Sequence, residues 1–104
     1  MCMGRLILTT GSGHYAAAAT DADIEGAIAR CREFQCGMRM ESESEYWIEA
    51  IPAGDLFRLV RGAGASSLRQ ASGYDVGAET VRVVMELFLA GDPQLEVVVR
   101  WEDV

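Results

Sequence analysis

The spacing of apolar residues changes period several times along this chain, and each change marks a new element. "RLILTT" (Arg5 to Thr10) has an apolar centre and predicts a short strand. "GSGHYAAAAT" (Gly11 to Thr20) follows as a loop, with length enough to return as a second extended piece. Thr20 then stands before Asp21, Asp23 and Glu25, a hydroxyl N-cap followed by a carboxylate-rich first turn. Behind it Ile24, Ala27, Ile28, Cys31 and Phe34 recur at helical spacing, with Arg30, Arg32 and Glu33 on the other face. The spacing predicts a helix over about residues 21–35, closed by Gly37.

From Met38 the period becomes two. Arg39, Glu41, Glu43, Glu45, Trp47, Glu49 and Ile51 fall on one face; Met38, Met40, Ser42, Ser44, Tyr46, Ile48 and Ala50 fall on the other. The Ser-Glu-Ser-Glu centre is polar on both faces and splits the run into two strands. Pro52 to Asp55 is a turn, "LFRLVR" the next strand, "GAGASS" a flexible tip, and Leu68 to Ala71 a further strand. A second helix begins at Asp75 or just after. Its stripe is Ala78, Val81, Val84, Met85 and Phe88, widened by Val83 and Leu87, with Arg82 and Glu86 opposite. Gly91 and Pro93 stop it. "LEVVVRWEDV" then reads as a last strand, Leu95, Val97, Val99 and Trp101 alternating with Glu96, Val98, Arg100 and Glu102, and with Trp101 in the main core or at its edge. The order β-α-β-β-β-(β)-α-β predicts one α+β domain over residues 1–104, a mostly antiparallel sheet with both helices on one face.

Composition narrows the chemistry. The net charge of −7 repels nucleic-acid backbones and anionic membrane surfaces and favours a basic protein or a cationic ligand. All nine basic residues are Arg, so lysine Schiff bases and phosphate-loop lysines are excluded. The "RLIL" stretch is too short for a signal sequence or a membrane span, and three cysteines (Cys2, Cys31, Cys36) make an odd number. Both features lead us to expect a reducing, cytoplasmic setting. A Cys/Cys/His site with His14 lacks zinc spacing, so no metal and no cofactor is expected.

Gly11, Gly13 and Ala16 begin a G-x-G-x-x-A pattern after a strand. A pyrophosphate site needs a helix to start inside that pattern. Here "HYAAAA" gives only one and a half turns before a fresh N-cap at Thr20, so the stretch reads as a glycine-rich turn. His14 is the one histidine and Tyr15 its neighbour; together they are the polar groups of an alternative small-ligand or catalytic loop. The stronger candidate is the strand face bearing Glu41, Glu43, Glu45, Trp47, Glu49 and Ile51, where large apolar groups stand among carboxylates. Its partner would be a second copy or a basic protein.

The C-terminal third adds a resemblance. A helix with Ala78 and Phe88, a Gly91-Asp92-Pro93 stop, and a strand ending in Trp101-Glu102 loosely resemble the end of bacterial immunity proteins paired with polymorphic toxins. That resemblance implies an acidic α+β protein that neutralises a toxin by binding rather than by catalysis; no functional residue carries over. The overall pattern also suits small orphan products of mobile bacterial genes.

Overall fold

A computed structural model describes residues 6–10, 15–17, 21–42, 46–63 and 69–103. Among these residues eight strands form a single sheet: β1 (Leu6–Thr10), β2 (Tyr15–Ala17), β3 (Met38–Ser42), β4 (Tyr46–Ala53), β5 (Leu56–Ala63), β6 (Arg69–Ala71), β7 (Val76–Gly77) and β8 (Glu102–Asp103). Their order across the sheet is β2-β1-β3-β4-β5-β6-β8, with β7 pairing the start of β5, and every ladder is antiparallel. Helices α1 (Asp21–Phe34) and α2 (Ala78–Ala90) cover one face, as expected for the α+β class.

The period-two pattern explains which face they cover. Met38, Met40, Ile48, Ala50, Phe57 and Leu59 point together toward Ile24, Ala27, Ile28 and Cys31 of α1 and Val81, Val84, Met85 and Phe88 of α2. Phe57, Leu59, Ile48, Met40 and Met85 are wholly buried. Each contributes roughly 1.5–3 kcal/mol by leaving water. Burial also pushes the Cys31 thiol up to about 12, with a smaller upward push from neighbouring Cys36.

The β4–β5 hairpin sets the register of the centre. Gly54 and Asp55 are its two-residue loop, and only Gly54 takes a positive φ, +70°. Glycine at the first loop position suits a turn whose twist matches the strands. Counting back from the Ala53–Leu56 pair places Ile51 opposite Arg58, Glu49 opposite Val60 and Trp47 opposite Gly62.

Several expectations need correction. Phe34 belongs to the predicted apolar stripe of the first helix but is exposed, with the Arg30 guanidinium 5.7 Å from its ring centre. The left-handed residue after α1 is Gln35, φ +51°, not Gly37. Gln35 is held there by its own amide: Nε2 donates to the carbonyls of Arg32 and Gly54, and Oε1 accepts the Gly54 N–H, each at 3.0 Å. The helix end is thus tied to the β4–β5 turn. Gly62 and Ala63, expected in a flexible tip, are the last residues of β5, where the register pairs them with Trp47 and Tyr46.

The largest correction is the last segment. Residues 95–98 form a short helix, α3 (Leu95–Val98), and of the described residues after it Glu102 and Asp103 are strand. Gly91, at φ 68° and ψ 31°, caps α2, its N–H bonding Phe88 O and that of Asp92 bonding Leu87 O. Asp92 Oδ1 then accepts the Gln94 N–H at 2.9 Å, and the N–H groups of Leu95, Glu96 and Val97 bond back three residues. A turn closed by the Asp92 side chain across Pro93 therefore restarts a helix where alternation suggested a strand. Leu95, Val98 and Trp101 pack against the core, while Val97 is 81% exposed.

Candidate functional site

The second face of the sheet is uncovered among the described residues, because α1, α2 and α3 all pack against the first. Its side chains follow from the ladders. One row across β3, β4, β5 and β6 reads Glu41, Trp47, Gly62, Arg69; the next reads Arg39, Glu49, Val60, Ala71, with Glu102 beyond on β8. Ile51 opposite Arg58 and Ala53 opposite Leu56 complete the face.

Trp47 is its centre. The indole lies across the partner position Gly62 on β5, which has no side chain to lift it. Two guanidiniums flank the ring, Arg39 at 4.5 Å and Arg69 at 5.9 Å from its centroid. Both distances allow cation–π attraction. Arg39 is held from below by Glu41, 2.8 Å from its Nε, and by Glu49, which bonds its Nη1. Partial burial works against the charge on Arg39, but the two carboxylates outweigh it and hold its pKa above the ordinary value. A second cation–aromatic pair lies on β5: Arg58 stands 5.1 Å over the ring of Tyr74 and donates to its hydroxyl at 3.3 Å.

This geometry corrects the picture of a bare acidic strip. Glu41 and Glu49 do share the face with Trp47 and Ile51, yet both serve Arg39. By register the described face carries Arg39, Arg58 and Arg69 against Glu41, Glu49 and Glu102, a balance of charge. Glu43 and Glu45 lie outside the described residues, as do Gly11, Gly13 and His14 of the glycine-rich loop. Tyr15 opens β2 opposite Thr9. No group of three or more His, Cys, Asp or Glu side chains among the described residues is arranged to hold a metal ion. With Arg39 between them, Glu41 and Glu49 do not form a cation site.

Apolar surface completes the face. Ile51 is 36% exposed, Leu56 43% and Tyr74 57%. Arg58, Gly62, Arg69, Leu56 and Tyr74 were not singled out by the sequence pattern. The two-residue length of the Gly54–Asp55 turn is the signal that locates most of them, because it alone fixes which β5 residues face Trp47 and Ile51. Comparison of the chain with protein-family models, with curated proteins and with solved structures finds no match.

Proposed function

We propose that this protein is a binding module that acts through the uncovered sheet face, and that the occupant of that face is a second copy of the chain. The observation that carries the reading is a Trp47 flanked by arginines, with Ile51 and Leu56 exposed beside it. Trp, Tyr and Arg are the residue types that dominate interface energies. Charge selects the occupant. The chain carries −7, and among the described residues this face sets three arginines against three carboxylates, so repulsion between two copies is weaker there than the net charge implies. The seven strands of the path run from two to eight residues, and at about 3.3 Å per residue and 4.8 Å between strands they give roughly 540 Å² per copy. That falls at the small end of protein interfaces, the size class of weak and transient contacts.

Sedimentation velocity at about 50 μM tests it. The wild-type chain of 11.3 kDa should sediment at twice that mass, and Ile51→Arg or Leu56→Arg should return it to one copy with the fold kept by circular dichroism. A wild-type monomer, or variants that remain dimeric, would overturn the reading. The remaining acidic surface suits a basic protein, and the toxin-inhibitor role implied by the C-terminal resemblance belongs there. Co-expression with a neighbouring gene checks that role, with rescue of growth expected from this chain and from its Ile51→Arg variant alike.

A further inference from the structure

On the helix-bearing side a cleft of about 400 Å³ opens where β4 and β5 meet the turn between α2 and α3. Leu87 and Phe88 of α2, Leu95 of α3 and Tyr46 of β4 give it apolar walls. Tyr46 is 52% exposed and Phe88 only 7%, so the cleft runs from an open aromatic rim to a buried floor. Spaces of this size hold small organic ligands.

The charges around it are uneven. Arg61 lines the cleft, but its Nη1 and Nη2 each bond Glu96 at 2.7 Å and its Nε bonds Gln70 at 3.0 Å. That guanidinium is neutralised and its donors are engaged. Asp92 adds a further carboxylate, whose Oδ1 receives one backbone N–H. The α2 helix also ends at the cleft, and its last turn carries no basic residue. A helix C-terminus acts as roughly half a negative charge. The sum is negative, beside an aromatic ring and an apolar floor.

We infer that this cleft binds a small organic cation with an apolar body, of the aryl- or alkylammonium class. The apolar body displaces water from Leu87, Phe88 and Leu95, and the ammonium lies toward Asp92, the α2 terminus and the ring of Tyr46. A carboxylate of the same shape is repelled.

Amide NMR titration with benzyltrimethylammonium tests the inference, with benzyl alcohol and benzoate as neutral and anionic controls. Amide resonances of Tyr46 and of residues 87–92 and 94–96 should move with the ammonium and stay fixed with benzoate. Asp92→Asn keeps an oxygen for the Gln94 N–H but removes the charge, and should weaken binding about fivefold, the size of one partly screened contact. Leu87→Trp fills the cleft and should abolish binding, which keeps the test decisive if the Asn variant disturbs the turn. Ile51→Arg, on the other face, should bind the probe unchanged. The inference fails if no lining resonance moves at about 10 mM probe, or if benzyl alcohol binds as well as the ammonium.

Discussion

A methyl group added at Gly62 would lie 2.6 Å from Cζ2 and 2.8 Å from Cε2 of Trp47, well inside van der Waals contact. Gly62→Ala should therefore displace the indole and cost about 1–3 kcal/mol. The cost should vanish in a Trp47→Ala background, a coupling that urea titration of the double-mutant cycle measures. Gln35 makes a second prediction at this scale. Its left-handed φ is unfavourable for a side-chain-bearing residue by about 1 kcal/mol, and its amide offsets this at Gly54. Gln35→Ala keeps the strain and loses the clamp, so it should destabilise by about 1–2 kcal/mol more than Gln35→Gly does. Cys31, buried and with its pKa pushed up to about 12, should resist iodoacetamide at pH 8 in the folded protein while half-buried Cys36 is alkylated, as peptide mapping would report. Helical spacing made Cys31 legible as a core residue. It could not reveal Gln35, because its strain and its clamp arise from one contact across 19 positions.

Helices and strands were legible wherever the period ran unbroken, as in α1, α2, β4 and β5. The last segment was not, because the local bonds around Asp92 and Gln94 outweigh the alternation of Leu95, Val97 and Val99. What holds α3 and β8 in place is a knot around Arg61. Its guanidinium bonds Glu96 and Gln70 and stands 4.4 Å over Trp101, Gln70 passes a bond to Asp103, and Trp101 Nε1 donates to Leu95 O at 2.9 Å. Arg61→Met should leave α1, α2 and the central strands protected while hydrogen exchange quickens in residues 95–103. The same pair sets a pH response. The bond from Arg61 holds the Glu96 carboxyl below its usual range. Its contribution is therefore complete above about pH 4.3, where the unfolded carboxyl titrates, and is lost as pH falls through the lower folded value. Glu96 is largely exposed, so solvent screening keeps the effect small. Glu96→Gln should flatten the stability profile in that acid window, which thermal melts between pH 3 and 5.5 would record.

Across the whole molecule, layer order and helix placement were readable from the alternation of periods, since only one face of the sheet had apolar residues enough to receive two helices. The composition of the opposite face was half readable. Trp47, Glu41, Glu49 and Ile51 came from one strand pair, but their arginine partners came from register and from strands further along the chain. The resulting balance of charge bears on how copies meet. Raising salt from about 0.05 to 0.5 M shortens the reach of charge from over 10 Å to under 5 Å. It should therefore relieve the repulsion between two chains of −7 without weakening a neutral contact, so the dimer fraction by sedimentation should hold or rise.

The margins of the sheet add a last consequence. Among the described residues, β2 offers a backbone of three residues at one border and β8 offers two at the other. So little hydrogen-bonding length gives an incoming strand almost nothing to zip onto, and copies that joined border to border would gain few bonds for the freedom they lose. Crowding this protein should produce discrete pairs and leave fibres unformed.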